Sequence, residues 1–207
     1  ITGVNVYNTI QAAVDAANTD DVILIEAGKN GAHIYIPPTT LEKRLHFRGN
    51  GYYLTNPNLT PLTTQKTDVV IGNNSIMTLG LGSSGSTFNN LAIYASIYIS
   101  SPNITFSSCK INGLLGISSI RDESNNIISR GTNLLIERSI LFPTYSISLN
   151  GDGFPNVNTV VRNSYIRGMS QNLDGATFLN CNISLLNFQS AQDCVFTNCI
   201  FTNSEMG

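Results

Sequence analysis

This sequence predicts an all-β solenoid built from short parallel strands, on three observations. Six segments share one six-residue frame, and successive frames begin as few as 17 or 18 residues apart. Apolar residues alternate within each frame, which is the period of a half-buried strand and not of an amphipathic helix. Gly, Asn and Ser cluster between the frames, where a chain of short strands must turn. A repeat of this length buries its apolar face by stacking on its neighbours.

The first element in the chain is a predicted amphipathic helix over residues 7–18. Ile10 and Val14 are spaced to lie on one face of this helix, and Asn8 or Thr9 is placed to cap its first turn. A polar turn follows the helix and leads into an apolar segment that predicts the first strand.

The repeating frame has a large apolar first residue, usually an Asn at its third position, and an apolar sixth residue. The first residues are expected to form one inward column: Phe88, Phe106, Ile136, Val161, Phe178 and Phe196. The sixth residues are expected to form a second column: Ile93, Ile111, Leu141, Ile166, Ile183 and Phe201. Weaker frames begin at Phe47 and Ile71.

Asparagine occupies the third position of four frames, at Asn90, Asn163, Asn180 and Asn198. Asn tolerates the left-handed backbone conformation better than most residues, so we expect these positions to form a sharp bend. Stacked repeats would then bring the amide side chains together as a ladder of hydrogen bonds.

The cysteines recur with the repeat, since Cys109, Cys181 and Cys199 share the fourth position of their frames. This phase predicts free thiols that pack as small apolar side chains. Disulfides remain the alternative, because an even number of cysteines is compatible with a secreted protein. The spacing of the cysteines and of His33 and His46 does not match a zinc site.

Two stretches near the start carry a family resemblance. Residues 9–17 (Thr-Ile-Gln-Ala-Ala-Val-Asp-Ala-Ala) and 20–28 (Asp-Asp-Val-Ile-Leu-Ile-Glu-Ala-Gly) resemble the opening of right-handed parallel β-helix proteins of the pectin-lyase-like superfamily. The later frames agree with this resemblance, which implies a right-handed parallel β-helix whose N-terminal end is covered by the helix. The chain departs from the family at residues 29–33, where Thr-Tyr usually follows Ala-Gly. This opening occurs in lyases, hydrolases, epimerases, phage tailspikes and non-catalytic surface proteins, so it implies a fold and not an activity.

Length and composition limit the domain organisation and the partners. We treat residues 1–207 as a single domain, with the helix at 7–18 and the repeating strands over 22–207. The net charge of −2 argues against nucleic acid as a partner, and the longest aliphatic run, 22–25, is too short to insert into a membrane. Asn, Ser and Thr make up 66 of the 207 residues, a composition that suits contact with neutral polymers.

Two intervals between frames are longer than the others, and insertions of this kind build the sites of solenoid proteins. They lie between residues 106 and 136 and between residues 136 and 161. Neighbouring repeats are about 4.8 Å apart, so both insertions are expected to overhang one patch. The candidate catalytic residues are Arg121, Glu123 and Asp152, and the candidate substrate-binding residues are Asp122, Arg130, Tyr98 and Tyr145.

The residue types in this patch are compatible with two chemistries that the resemblance implies. Family lyases abstract a sugar proton with Arg or Lys, and family hydrolases use paired carboxylates. The Gly-His-Gly and Arg-Ile-Lys motifs of polygalacturonase-like hydrolases are absent, which disfavours hydrolysis. The alternative is structural: Arg121 pairs with a neighbouring acid, and Asp152 shapes a Gly-flanked turn. Asp122, Glu123 and Asp152 could offer oxygen ligands to Ca²⁺, but no complete ligand loop is present, so no cofactor is assigned.

Further polar residues fall on outward positions of the frames. Glu137 and Arg162 occupy equivalent positions of consecutive frames, and we expect a surface ion pair there in preference to a catalytic carboxylate beside an arginine. Both histidines are expected at solvated positions. Outward tyrosines such as Tyr98 and Tyr145 are equally compatible with stacking on sugar rings and with ordinary strand packing.

The last frame is apolar at its inward positions and is followed by only six residues, 202–207. Six residues are too few to cover the final strands, and an uncovered edge promotes aggregation. We therefore expect the C-terminal end to pack on further chain or on another subunit.

These observations favour an extracellular or virion-surface module that binds a polysaccharide or cell-surface glycan and that, in one alternative, also processes it. Two competing hypotheses stay open. One is a non-catalytic structural or adhesive segment of a large surface protein or viral fibre, and the other is a uronate polysaccharide lyase.

Overall fold

The structure is a computed structural model that describes residues 5–26, 33–49, 69–72, 75–142, 147–148, 158–170, 175–187 and 192–202. A single α-helix, α1 (Ile10–Ala16), precedes the strands in this part of the chain, and one turn of 3₁₀-helix spans Leu81–Ser83. The first twelve strands are β1 (Val22–Ile25), β2 (His33–Tyr35), β3 (Thr40–Leu41), β4 (His46–Gly49), β5 (Val69–Ile71), β6 (Ile76–Leu79), β7 (Thr87–Asn89), β8 (Ala92–Ile93), β9 (Ser96–Ile99), β10 (Thr105–Ser107), β11 (Lys110–Ile111) and β12 (Leu115–Ile117). The others are β13 (Ser119–Arg121), β14 (Ile127–Arg130), β15 (Leu135–Glu137), β16 (Ile140–Leu141), β17 (Ile147–Ser148), β18 (Val160–Arg162), β19 (Tyr165–Ser170), β20 (Thr177–Leu179), β21 (Asn182–Asn187), β22 (Val195–Thr197) and β23 (Ile200–Thr202).

The strands form three parallel sheets, so the predicted all-β class with parallel pairing is confirmed. The first sheet has the order β1-β4-β7-β10-β15-β18-β20-β22, and the second has the order β2-β5-β8-β11-β16-β19-β21-β23. The third sheet has the order β17-β12-β9-β6-β3, and β13 and β14 form a separate pair. From β1 to β12, and again from β15 to β17, the chain visits the three sheets in rotation, and from β18 to β23 the described strands alternate between the first and second sheets. We call each stretch from one first-sheet strand to the next a circuit.

The first inward column is confirmed by the pairing of the first sheet. Its strands align the six predicted residues from Phe88 to Phe196, and Ile23 and Phe47 join the same column. The aromatic members stack, with ring centroids 5.0 Å apart for Phe47 and Phe88, 4.9 Å for Phe88 and Phe106, and 4.9 Å for Phe178 and Phe196. This column is buried from Ile23 to Phe178 and partly buried at Phe196.

The second inward column is also confirmed, with one correction to the weaker frames. Ile71 pairs with Ile93 and therefore belongs to the second sheet, so it is not the first residue of a frame. Each six-residue frame contains one first-sheet strand and one second-sheet strand, and both strands carry a similar inward apolar residue, so the sequence alone does not tell them apart. Because Ile71 is not in the first sheet, Phe47 pairs directly with Phe88 there, and the chain between them makes a single long circuit. At the far end of the column Phe201 is 54% exposed.

The left-handed positions predicted for asparagine are present. Asn90, Asn163, Asn180 and Asn198 have φ between 50° and 55°. The amide of Asn180 donates to that of Asn163 over 3.3 Å, which is one rung of the expected ladder. Ser108 and Arg138 occupy the same bend with φ of 52° and 49° and interrupt the ladder.

A second left-handed column, which the frame did not predict, lies three residues before each inward residue of the first sheet. Its members with positive φ are Asp20, Gly85, Asn103, Asn133, Asn158, Gly175 and Asp193. The side chain of Asn133 donates to Asn103, and that of Asn158 donates to Asn133, each over 2.9 Å. The recurrence of Gly, Asn or Asp at this position was the sequence signal for a bend between the third and first sheets.

Cys109, Cys181 and Cys199 are thiols outside any disulfide, as the phase of the repeat predicted. Cys109 and Cys181 are buried, while Cys194 and Cys199 are partly buried. Burial raises the pKa of the Cys109 thiol to about 12, so this group stays protonated at neutral pH.

The predicted N-terminal helix is present, with shorter bounds than expected. The Thr9 side chain accepts a hydrogen bond from the Ala12 N–H over 3.1 Å, and Ile10 and Val14 are buried. Lys43 Nζ donates to the carbonyl oxygens of Val14 and Ala17, each over 2.8 Å, and so ties the end of α1 to the chain before β4. In the described residues, none of the helical segments is of the length and apolar character that a bilayer crossing requires.

Candidate functional site

The insertion between residues 106 and 136 contains an antiparallel hairpin. Strands β13 and β14 pair here, and the hairpin leaves the third sheet after β12 and returns to the first sheet at β15. Its base is fixed by Ser129 Oγ, which donates to the Ser100 carbonyl over 2.6 Å, and by the Gly131 N–H, which donates to Ser118 over 3.3 Å. The hairpin therefore borders the edge of the first sheet at which its strands begin.

Asp122 shapes the tip of this hairpin. Its carboxylate accepts hydrogen bonds from the N–H groups of Ser124 (2.9 Å) and Asn126 (2.8 Å) and from the Asn126 amide (3.1 Å). These bonds, those from Asn126 above all, lower the pKa of Asp122. The group predicted to bind substrate is thus occupied in closing a turn.

The other predicted site residues are only partly brought together. Arg121 is exposed and donates from Nη1 to the Asn125 carbonyl over 2.9 Å, and Glu123 is exposed at the same tip. Arg130 lies at the base of the hairpin, opposite Ser119. Tyr98 is partly buried in the third sheet. Asp152 and Tyr145 lie outside the described residues, so the predicted patch of Arg121 and Asp152 stays a prediction.

The outward face of the first sheet carries a mainly polar row of side chains, of which the sequence pattern indicated only the pair Glu137 and Arg162. The row consists of the residues that directly follow the inward column: Leu24, Arg48, Asn89, Ser107, Glu137, Arg162, Leu179 and Thr197. The parallel pairing spaces these side chains at the strand separation of about 4.8 Å. In the middle of the row, Glu137 lies between Ser107 and Arg162.

Glu137 is the centre of this cluster, which we call the arginine clamp: Ser107, Glu137, Arg138 and Arg162. Arg162 donates to Glu137 Oε2 from Nε (3.0 Å) and from Nη2 (2.6 Å). Arg138 Nη2 donates to Glu137 Oε1 over 2.6 Å, and Ser107 Oγ donates to the same oxygen over 3.1 Å. The Glu137 side chain is 11% exposed, against 60% for Arg138 and 46% for Arg162.

The ion pair expected between Glu137 and Arg162 is present. The partner arginine was predicted, but the carboxylate is nearly buried and is held from both sides. The hydrogen bond from Arg162, helped by Ser107 and the charge of Arg138, lowers the pKa of Glu137 against the opposing effect of burial. Glu137 is therefore ionised at neutral pH, and two cationic groups face one anion.

The lowered pKa gives a prediction for acid stability. Glu137 stays ionised to a lower pH in the folded state than in the unfolded chain. Its ionised carboxylate therefore contributes fully to the free energy of unfolding above the ordinary pKa of 4.5, and this contribution is lost as the pH falls through the lowered pKa. Glu137→Gln is expected to cost about 1–3 kcal/mol at neutral pH and to lose less stability than the wild type on acidification. Urea unfolding at a series of pH values measures both effects, and parallel profiles for the two proteins would contradict the assignment.

A second polar group lies near the N-terminal end of the same face. His46 Nδ1 is 3.0 Å from Thr87 Oγ1, which also accepts from the Asn89 amide over 3.1 Å. His46 Nε2 is 3.8 Å from an oxygen of Asp20, whose pKa is lowered mainly by its hydrogen bonds with Arg44. His46 is partly buried and hydrogen-bonded, in contrast to the solvated position expected from sequence.

Sequence analysis missed Arg138 and Ser107 as members of the clamp. Arg138 stands at the frame position where Asn is the usual residue, so the exception to the repeat was the available signal. Its backbone is in the left-handed conformation with φ of 49°, and its side chain reaches back to Ser107 in the preceding circuit over 2.7 Å.

Metal ligands do not gather in the described part of the chain, where no group of three or more His, Cys, Asp or Glu side chains is placed to hold an ion. Comparison with protein-family models, with curated proteins and with solved structures finds no match to this chain.

Proposed function

We propose that this chain is a right-handed parallel β-helix whose outward first-sheet face binds polysaccharide, outside the cell or on a virion surface. The rotation of the chain through three parallel sheets supports the β-helix, and parallel crossovers are almost always right-handed. The opening at residues 9–28 resembles that of the pectin-lyase-like superfamily, which agrees with this architecture.

The arginine clamp is the observation that carries the binding proposal. Glu137 fixes two guanidinium groups side by side and neutralises one of the two charges. Both arginine side chains are substantially exposed, at 60% and 46%. Two exposed, preorganised guanidinium groups suit the hydroxyl, ether and carboxylate oxygens of a sugar polymer.

The neighbouring side chains extend this surface along the sheet. Arg48 and Asn89 continue the row towards the N-terminal end, and Thr87 and Thr105 add hydroxyl groups in the adjacent row. Their even spacing offers a repeating polymer equivalent contacts from strand to strand. The hairpin of β13 and β14 borders the face, and its exposed Arg121 lies in the circuit that begins at β10, the strand that carries Ser107 of the clamp.

The state of two carboxylates favours binding without catalysis. Glu137 and Asp122 are both committed to hydrogen bonds that lower their pKa values, so neither holds a proton for general acid catalysis at neutral pH. Incubation with uronate polymers tests the lyase alternative. A rise in ultraviolet absorbance from the unsaturated sugar product would show that the chain is a lyase and overturn the non-catalytic form.

The binding proposal is tested by single substitutions in the clamp. A glycan array probed with the full chain identifies the polymer, and titration then compares Arg138→Gln and Arg162→Gln with the wild type. Each variant leaves one arginine on Glu137, and each is expected to weaken binding about tenfold through the loss of a charged hydrogen-bond donor.

The matched control is Arg167→Gln, which removes the same charge from an exposed position of the second sheet. It is expected to bind as the wild type does. Absence of any polysaccharide ligand would contradict the proposal, as would wild-type affinity in both clamp variants.

A further inference from the structure

Cys181 and Cys199 lie directly opposite each other in neighbouring circuits. The pairs Leu179 with Thr197 and Asn182 with Ile200 flank them in the parallel register. The Ile200 N–H donates to the carbonyl oxygen of Cys181 over 2.9 Å, which fixes the two backbones at the position of the thiols.

The two cysteines share one local conformation. The preceding residues, Asn180 and Asn198, both have φ of 52°, so the side chains leave equivalent bends. Adjacent parallel strands are about 4.8 Å apart, within the range of Cα separations of about 4.4–6.8 Å that a disulfide spans. Burial above all, and to a lesser degree the neighbouring Cys199 thiol, raises the pKa of Cys181.

The arrangement is specific to this pair among the described residues of the column. The equivalent positions in earlier circuits are Leu91, Cys109, Ser139 and Ser164, so Cys109 stands between a leucine and a serine. Its backbone N–H donates to Ser139 Oγ over 3.1 Å, and its side chain is fully buried. Cys109 therefore serves as an internal control for thiol reactivity.

We propose that Cys181 and Cys199 are a redox pair that forms a disulfide under oxidising conditions and ties the last two described circuits together. With hydrogen peroxide as oxidant, the sulfur of the partly buried Cys199 attacks the peroxide, and Cys199 becomes a sulfenic acid as one water is released. The sulfur of Cys181 then attacks that of Cys199, and a second water leaves. Two thiols lose two electrons and two protons, and one peroxide is reduced to two waters.

The bond would restrain two strands that carry exposed apolar side chains. Strands β22 and β23 carry Val195, Ile200 and Phe201, which are 51%, 62% and 54% exposed. A link from Cys199 to Cys181 joins these strands to β20 and β21, whose Phe178 and Ile183 are buried. Oxidation is therefore expected to raise the denaturation midpoint, and a dithiol reductant is expected to reverse the rise.

The test treats the reduced full chain with hydrogen peroxide and maps the products by mass spectrometry after proteolysis without reduction. The expected result is one disulfide, between Cys181 and Cys199, with Cys109 still a thiol. Cys199→Ser is expected to abolish both the disulfide and the rise in midpoint, and Cys109→Ser is expected to retain both. Serine occupies the same frame position at Ser139 and Ser164, so it suits the local fold.

Three outcomes would overturn the proposal. The first is oxidation of Cys199 to sulfinic acid with Cys181 unchanged, and the second is a disulfide between another pair. The third is a Cys181–Cys199 disulfide that leaves the midpoint where it was in the reduced chain, since the bond would then restrain nothing.

Discussion

Replacing Phe106 with alanine is expected to lower the free energy of unfolding by about 3–5 kcal/mol. The Phe106 ring is fully buried in the first inward column, where it stacks on Phe88 with centroids 4.9 Å apart and faces Ile136 in the next circuit. Removing the ring leaves a cavity between two circuits, and their backbones cannot close it because parallel hydrogen bonds hold them at the strand spacing.

Urea denaturation of two further variants distinguishes the loss of stability caused by the cavity from any loss caused by placing alanine in strand β10. Thr105→Ala alters the preceding outward residue of β10 and is expected to change stability by less than 1 kcal/mol, within the usual range for surface positions. Phe178→Ala is expected to match Phe106→Ala, since Phe178 is also fully buried and stacked. If Phe106→Ala and Thr105→Ala had equal denaturation midpoints, the stacked column would not be a main source of the stability of the fold.

Neutralising both arginines of the clamp is expected to cost about 2–3 kcal/mol at neutral pH. In Arg138→Gln/Arg162→Gln the carboxylate of Glu137, 11% exposed, loses both cationic partners and keeps Ser107. Removing one partner of a fully buried ion pair costs about 3–5 kcal/mol of stability. The cost expected here is lower because the two guanidinium groups are about half exposed and their attraction to Glu137 is weakened by water. Protonation of Glu137 removes the uncompensated charge, so the deficit is expected to shrink as the pH falls below 4.5.

The matched control for this pair is Arg48→Gln/Arg167→Gln. It removes the same number of charges from exposed positions that do not contact Glu137. Denaturation of the two double variants at neutral and acidic pH is the measurement. Equal stability of the two at neutral pH would mean that the clamp contributes nothing beyond net charge.

Much of the fold follows from the repeat, because each circuit buries the same positions. The phase of Phe88, Phe106 and Phe178 predicted the first column, and the sixth residues predicted the second. The frame failed at Ile71, since an apolar residue before Gly and Asn fits either sheet and only strand pairing tells them apart. The third sheet escaped prediction because its residues, such as Ile97 and Leu115, fall between frames and not within them.

The candidate site was less predictable than the fold, because the frame indicates which residues are neighbours but not which side chains bond to each other. Equivalent frame positions placed Glu137 beside Arg162, because register alone joins them. The frame placed Arg138 at the left-handed bend where Asn is usual, but it did not indicate that the arginine side chain would bind the Glu137 carboxylate. The charges on the hairpin suggested chemistry, but Asp122 is used to close its own turn. Residue type does not reveal how many of a carboxylate's hydrogen bonds the fold has already used.

Arginine footprinting tests whether polysaccharide binds across the clamp. The full chain is treated with an arginine-modifying dicarbonyl in the presence and absence of the polymer selected on the array, and modification is quantified at each arginine by mass spectrometry. We expect the polymer to protect Arg138 and Arg162 and to leave Arg167, on the second sheet, as reactive as before. Equal modification of Arg138 and Arg162 with and without saturating polymer would contradict this expectation.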